Sequence, residues 1–386
     1  MIKILMISTD RSVFDTNSAV LARLVEQAGL VSELHVVVFT PRGEKFKKFH
    51  GAEHLIIHPT SSAGRWAYLP DAFRLARSII AHHGNREKWL ITTQDPFETG
   101  ALGYLIAKTL HVPLHLQIHT DPWSEAWQHE RIMNRARFAV MGFLLQHTSG
   151  VRVVSKRVEE SVLRSGVPKE CVTRVPIFTD VRKWKETTPT FDLHASYRMF
   201  DKIVLSIGRL QPEKNFHGLI RAFARVKKVR DDTMLLIVGS GPLRERLLLL
   251  ASSLGLSGSV IVLPWARDVV SYYKTCDLYV QPSLYEGWGL AVAEAMAAGA
   301  PVLMTDVGVA GELVRDKETG IVIPVGDEGA LADAMLEILA DATLRTILSA
   351  AAAREVEQLP THAETLAAYR ASWVNAHHYG HKKTKK

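Results

Sequence analysis

Two acids eight residues apart, Glu286 and Glu294, stand in the string Pro282-Ser-Leu-Tyr-Glu286-Gly287-Trp288-Gly289-Leu290-Ala-Val-Ala-Glu294-Ala-Met-Ala-Ala-Gly299-Ala-Pro301-Val302. Two cations, Arg209 and Lys214, stand in Ser206-Ile-Gly208-Arg209-Leu210-Gln-Pro-Glu213-Lys214-Asn215. In each case a strand pattern runs out into a loop and a helix begins beyond it. Glycine lets backbone N–H groups approach a ligand closely, and a helix start favours negative charge, so both loops suit a phosphate. Carboxylates beside a phosphate are awkward unless they accept hydrogen bonds from hydroxyls. A sugar and a ribose supply such hydroxyls. The bland alternative is a solvated first-turn acid plus a surface acid, and the whole string weighs against it.

Several chemistries lack their residues. No GxxxxGK[ST] occurs, which argues against a P-loop nucleotidase, and no GxSxG, which argues against an α/β-hydrolase nucleophile. Gly239-Ser-Gly241 follows a strand as a dinucleotide fingerprint would. Arg244 stands where its third glycine or alanine belongs, so a tight strand-to-helix turn is favoured. No Asp-x-Asp pair occurs, so a carboxylate-held divalent metal has no obvious place. In the front half, the strand Leu114–His119 delivers a histidine at its carboxyl end, followed by Thr120-Asp121-Pro122. His111, His115 and His129 compete with it, and the end-of-strand position favours His119.

These residues need elements to hold them. Strand and helix patterns alternate along the chain, as in parallel α/β units. Buried-strand runs read at 3–8, 33–40, 89–93, 113–119, 150–154 and 172–175, with helices at 18–28, 71–82, 99–110, 125–146 and 156–164 between them. Pro176 to Arg198 breaks the pattern. A second series follows, with strands at 202–207, 233–238, 259–263, 278–282, 301–305 and 320–324 and helices between and after them. The expected organisation is a Rossmann-like domain over 1–180, a linker over 181–200 and a second Rossmann-like domain over 201–360. A helix over 361–377 is expected to pack back on the first domain, before a solvated basic tail over 378–386. The fold class is α/β: two doubly wound domains facing each other across a cleft, where ligands bind at the carboxyl ends of the strands.

The 386 residues are 47% hydrophobic and 23% charged, which excludes disorder and collagen-like structure. No apolar run approaches the length of a membrane span, no signal peptide is visible, and Cys171 and Cys276 have no paired spacing. A cytoplasmic protein is expected. The net charge is +7, with +5 over residues 1–180 and −2 over 181–376. The front half is thus expected to meet something anionic. It lacks the motifs of a nucleic-acid reader, so no nucleic-acid partner is expected. Arg42-Gly-Glu-Lys45-Phe46-Lys47-Lys48-Phe49, and Arg131, Arg135 and Arg137 on an apolar helix, suit the headgroup layer of an anionic membrane. A half-buried core helix with a solvated basic face is the alternative.

The Glu286 to Pro301 string resembles the E-x7-E signature of the retaining, family-4 nucleotide-sugar glycosyltransferases of the GT-B fold. Gly208-Arg209-Leu210 with Lys214 is similar to that family's Gly-Arg-Leu-x-x-x-Lys segment. Leu236-Ile-Val-Gly239-x-Gly241-Pro242 and Tyr273-x-x-x-Asp277-Leu-Tyr-Val-x-Pro282-Ser283 match as well. The resemblance is dense over about 200–325 and thins toward the front. There, Thr16-Asn17-Ser18 replaces a Gly-Gly pair, and Val175-Pro-Ile-Phe-Thr-Asp180 stands where many members carry Pro-Asn-Gly.

The resemblance implies transfer of a sugar, with retention and without a metal or other cofactor. The donor is a nucleoside-diphosphate sugar, UDP- or GDP-linked, and the acceptor a glycan or lipid-linked chain in cell-surface polysaccharide or lipopolysaccharide biosynthesis. It implies that Gly208, Arg209, Lys214, Gly287, Trp288, Gly289, Leu290 and Asn17 bind the donor. Glu286 would hold sugar hydroxyls, Glu294 the ribose, and His119 would face the sugar. An epimerase acting on nucleotide sugars, or a degenerate binding protein, are the alternatives on the same fold.

Overall fold

Aliphatic runs of four to six residues, buried on both faces, make two parallel sheets. The computed structural model describes residues 1–384. It divides into two compact units. The first comprises Met1–Trp123, Gln128–Pro176 and the chain from His362 on; the second comprises Ile177–Thr361 with Ser124–Trp127.

The first unit holds eight strands: β1 (Lys3–Ser8), β2 (Glu33–Val38), β3 (Phe49–Ala52), β4 (Leu55–Pro59), β5 (Trp89–Thr93), β6 (Leu114–Ile118), β7 (Gly150–Val153) and β8 (Val172–Arg174). They lie in the order β3-β4-β2-β1-β5-β6-β7-β8, parallel except for β3 against β4. The β3–β4 hairpin was not expected. Its strands are short, sit at the sheet edge, and carry His50, Gly51 and Pro59 in place of clean alternation. The helix expected at 125–146 is two helices, Glu125–Glu130 and Ile132–His147, broken at Arg131, which is extended (φ −140°, ψ 140°).

One face of this sheet packs Leu5, Ile7, Val37, Ile91, Leu116 and Ile118 under the helices Tyr68–His82, Glu98–Leu110 and Ile132–His147. On the other face Ile4, Met6, Val36 and Leu90 meet Tyr369 and Trp373 of the last helix, His362–Thr384. That helix runs on through most of the segment expected to be a solvated tail; Lys385 and Lys386 lie outside the described residues. The reason is packing. Tyr369, Trp373, Ala376 and Gly380 are spaced four, three and four apart and form one stripe. A side chain on Gly150 would sit 2.5 Å from Ala376 Cβ, and one on Gly380 2.6 Å from Pro113.

The second unit holds a six-stranded, all-parallel sheet: β9 (Lys202–Ile207), β10 (Thr233–Val238), β11 (Val260–Leu263), β12 (Leu278–Gln281), β13 (Val302–Thr305) and β14 (Ile321–Ile323). The order is β11-β10-β9-β12-β13-β14. The helices Phe216–Val229 and Glu328–Ala340 pack on one another and bury Phe216, Leu219, Phe223, Leu331, Met335 and Ile338 over it. Residues 181–200, expected as a linker, fold into this unit as the short helices Val181–Glu186 and Leu193–Ser196. Asp180 and Asp192 cap them by accepting from the N–H groups of Lys183 and His194. No helix among the described residues is long and apolar enough to cross a membrane. Cys171 and Cys276 form no disulfide.

Candidate functional site

In a doubly wound sheet the strand order reverses at one point, and the loops there diverge to leave a crevice at the carboxyl edge. In the second unit that point lies between β9 and β12. The loop after β9 carries Gly208, Arg209 and Lys214; the loop after β12 carries Glu286, Gly287, Trp288 and Gly289. Topology thus brings together residues some 70 positions apart in sequence.

Lys214 Nζ pairs with Glu286 Oε1, and both side chains are only 14% exposed. The same carboxylate oxygen accepts from Gln281 Nε2 at 2.9 Å and from Ser283 Oγ at 2.9 Å. None of these bonds falls on Oε2. Gln281 is held by the Tyr279 hydroxyl, and Thr305 Oγ1 donates to the Ser283 carbonyl at 2.6 Å. Glu286 is therefore a fixed acceptor whose three bonds all fall on one oxygen. Gln281, Ser283, Tyr279 and Thr305 were not singled out from sequence. The Gln-Pro-Ser run before Glu286 was the available signal for the first two.

Backbone locks the loops together. Leu284 N–H donates to Glu213 O at 2.8 Å, joining the two loops directly. The doublet Gly239-Ser-Gly241 clasps the Gly208–Leu210 segment: Gly208 N–H donates to Val238 O, and Leu210 N–H to Ser240 O. A Cβ on Gly239 would lie 1.8 Å from Gly208 O, and one on Gly241, at φ +158°, 2.5 Å from Leu210 O. These glycines serve a neighbouring loop, which settles the choice between fingerprint and turn in favour of the turn. Gly308, also missed, has φ +54°, and its Cβ would meet Trp288 O at 2.2 Å. Next to it, Val309 N–H donates to that same carbonyl at 2.9 Å.

The other expected donor residues differ in kind. Trp288 is buried as packing, so only its backbone can face a ligand. Gly289, at φ +109°, opens the helix Leu290–Ala298, and Leu290 is exposed. Arg209 is largely exposed and pairs with Glu213 at 3.0 Å. Glu294 lies within that helix, half-buried, 3.4 Å from the Tyr273 hydroxyl that donates to it. Burial pushes its carboxyl up to about 7, against the pull of Tyr273 and Lys183.

In the first unit the reversal falls between β1 and β5. Asn17, on the loop after β1, is exposed and gives its N–H to Asp15; Ser18, not Asn17, caps the helix Ala19–Ala28. His119 follows β6 at the carboxyl edge and is exposed. The protein packed around it, then the charges of Arg152 and Arg23, hold its imidazole well below the ordinary histidine range. The ring is neutral at pH 7. His115 is fully buried against Thr92 and lies inside the sheet, away from the edge.

Residues 196–355 match the family model described as glycosyl transferases group 1, and residues 21–183 the one described as glycosyltransferase family 4. The chain belongs to the family-4 glycosyltransferases of the GT-B fold. Among relatives of this transferase family, it is 36% identical over 147 residues to the lipopolysaccharide core biosynthesis glycosyltransferase LpsE of Rhizobium meliloti, spanning 38% of this chain and 42% of that protein. It is 35% identical over 146 residues to a Campylobacter jejuni N-acetylgalactosaminyltransferase named for a diphospho-undecaprenol substrate, spanning 38% of this chain and 39% of that protein. The match to a Mycobacterium leprae phosphatidyl-myo-inositol mannosyltransferase is 30% over 233 residues, or 55% and 61% of the two chains. The matches thus span between two-fifths and three-fifths of these relatives' lengths. Among solved structures, Anabaena Alr3699/HepE in complex with UDP and glucose aligns over 96% of this chain and 98% of its own at TM-score 0.73 and 20% identity. Sucrose-phosphate synthase of Thermosynechococcus elongatus aligns over 95% and 97% at TM-score 0.72 and 23% identity. At such identities these two likenesses carry the fold.

Proposed function

We propose that this family-4 chain moves a sugar from a nucleoside-diphosphate sugar to a glycan or lipid-linked acceptor of the cell surface, with retention and without a bound metal. The observation that carries this reading is the Lys214–Glu286 pair at the reversal point of the second sheet, locked by neighbouring backbone. Charge developing on the leaving diphosphate is met by Lys214, Arg209 and the N–H groups at Gly287–Leu290, a preorganised clamp. Until the donor arrives, Glu286 compensates the half-buried ammonium. Glu286 Oε2 accepts from sugar hydroxyls and Glu294 from the ribose. From the first unit, His119 offers a neutral ring to a sugar hydroxyl. No side chain at this edge is placed as a covalent nucleophile, so the leaving phosphate helps deprotonate the acceptor on the front face. The missing Asp-x-Asp motivates the metal-free reading. The donor base is left to UDP or GDP.

The names of the relatives, a lipopolysaccharide core transferase and one named for a diphospho-undecaprenol substrate, support a surface-glycan or lipid-linked acceptor. So does the helix Ile132–His147: Ile132 is 91% exposed, Met133 57% and Phe143 50%, beside Arg131 and Arg135. The helix is half-buried, with Met141, Leu144 and Leu145 in the core, and its outward apolar residues beside the arginines support a lipid surface, and with it peripheral contact with the inner face of the cell membrane. The test is release of nucleoside diphosphate with and without a membrane extract. Release only with extract, undiminished by EDTA, is expected. Epimerisation without release would make the chain an epimerase, and binding without turnover a sensor. Complete loss in EDTA restored by manganese would overturn the metal-free reading. Anionic vesicles should bind the protein in a salt-sensitive way that Arg131→Glu with Arg135→Glu weakens, each charge contributing about 1 kcal/mol. Equal binding to neutral vesicles would favour a soluble acceptor.

A further inference from the structure

At the amino edge of the first sheet, opposite the edge that bears His119, lies a group the transfer chemistry does not use. Glu33 opens β2, His35 follows two residues on along the same face, and His58 reaches it from β4. His83 comes from just past the helix Tyr68–His82. Their neighbours on this face are aliphatic or aromatic, and His35 and His58 are buried among them. Burying polar rings in such surroundings costs free energy unless every nitrogen is engaged.

Glu33 Oε2 lies 3.1 Å from His35 Nε2 and 3.0 Å from His83 Nδ1. These three donor atoms form a compact group of metal-ligating type. Ligands of a tetrahedral zinc ion, at about 2.0 to 2.2 Å from it, stand roughly 3.3 Å apart; the two sides at Glu33 need little expansion to take one, and the third, between the two imidazole nitrogens, lies within 4.8 Å. The surroundings also match those of a ligating set. Lys3 Nζ holds the other carboxylate oxygen, Oε1, at 2.6 Å. His58 Nε2 lies 3.0 Å from His35 Nδ1, the ring nitrogen that would face away from the ion. Metal-bound histidines and carboxylates are oriented by such partners. Glu33 and His83 keep 29% and 27% of their side-chain surface, which leaves an entry path and a fourth position for water.

We propose that Glu33, His35 and His83 form a binding site for a divalent transition metal, zinc(II) foremost, tying β2 to the end of the helix Tyr68–His82. The site is independent of the transfer reading, because none of its residues lies at either carboxyl edge. Imidazole and carboxylate together suit zinc and its neighbours in the first transition row. The proton balance gives the site a signature. Without metal, His35 must give its Nε2 proton to Glu33, so its bare Nδ1 accepts from His58 Nε2–H. With metal on His35 Nε2, the proton moves to Nδ1 and is donated to His58, whose own proton moves to Nδ1. Both rings of the buried pair change tautomer, and neither ring loses its proton.

The test uses the full chain carrying His377→Gln and His381→Gln, since those two histidines lie 3.2 Å apart on the last helix and can capture metal themselves. Zinc(II) should raise its Tm, and cobalt(II) should show the visible bands of a four-coordinate site. Nitrogen-15 NMR should show His58 changing tautomer. Glu33→Gln and the half-exposed His83→Gln should abolish all three, and His58→Gln should weaken binding about 10- to 100-fold. No Tm rise in this background, a rise that survives both Glu33→Gln and His83→Gln, or a His58 tautomer indifferent to zinc would each overturn the proposal.

Discussion

At the carboxyl edge of the second sheet, backbone is locked to backbone. Gly239 and Gly241 press on the Gly208–Leu210 loop, Gly308 presses on Trp288, and Glu286 is held by three donors on one oxygen. At the same edge of the first sheet, Asn17 and His119 are exposed on loops, and the polar network below reaches His119 through the charge of Arg152. There Arg152, 5% exposed, donates to Gln117 and to the Val175 carbonyl and lies under the Tyr369 ring. A diphosphate sugar is one rigid chemistry and rewards a preorganised cradle. On the proposed function the first unit's edge would receive the acceptor, and its exposed side chains can be exchanged without disturbing the sheet. One fold, used twice, therefore carries a fixed edge and a replaceable one.

The contrast can be broken most severely through its glycines. Gly239→Ala and Gly308→Ala drive a Cβ into a carbonyl oxygen and, at Gly308, add a left-handed backbone, so each should cost about 4 kcal/mol or more and unfold the second unit first. Gly142 lies in the helix Ile132–His147 with nothing within 4 Å of an added Cβ. Gly142→Ala should stabilise the first unit by about 0.5 to 1 kcal/mol. Thermal melts followed by hydrogen exchange would show both, and equal, small effects would erase the distinction between the edges.

Glu294 sharpens it next. Its carboxyl is raised from an ordinary value near 4.5 to about 7. The folded protein thus keeps a proton that the unfolded chain releases. The stability this brings is complete below pH 4.5 and is lost as pH rises toward 7, on the order of 3 kcal/mol. Ribose hydroxyls need the ionised form as acceptor. Donor affinity should therefore fall by up to about tenfold between pH 8 and pH 6, and Glu294→Gln should flatten that profile. A wild-type profile already flat would remove Glu294 from the donor site.

His119 should matter least. A neutral ring making one hydrogen bond is worth about 0.5 to 1.5 kcal/mol, so His119→Ala should cost roughly 2- to 10-fold in kcat/KM, with no new pH dependence between 5 and 8. A loss of a thousandfold would place the first unit's edge in the chemistry itself.

How much of this was legible follows the same division. In the second unit the alternation of strands and helices fixes which loops reach the carboxyl edge, and Glu286, Lys214 and Glu294 carry enough local pattern to be picked out. Thr305 and Gly308 do not, because their roles come from loops that meet only in the folded sheet, and Gln281 and Ser283 had only the Gln-Pro-Ser run before Glu286 to mark them. Gly239 and Gly241 look like a nucleotide motif until the neighbouring loop is seen against them. In the first unit the β3–β4 hairpin is too short and irregular to announce itself. The Tyr369–Gly380 stripe was present in sequence but obscured by histidines and lysines on the other sides of its helix. The Glu33, His35, His58 and His83 group was invisible, since its members come from three separate segments.

The central claim is that the Lys214–Glu286 edge binds and turns over a nucleoside-diphosphate sugar. The direct measurement is a calorimetric and thermal-shift series of UDP- and GDP-sugars against wild type, Lys214→Ala and Glu286→Gln, with turnover measured on whichever donor binds. One donor class should bind wild type, adding about 2.7 kcal/mol of stability at 100 times its Kd. Both variants should stay folded, Lys214→Ala should lose most of the diphosphate affinity, and each should lose about 100- to 1,000-fold in turnover. A donor that binds and reacts in either variant with more than about a tenth of the wild-type turnover would contradict the account.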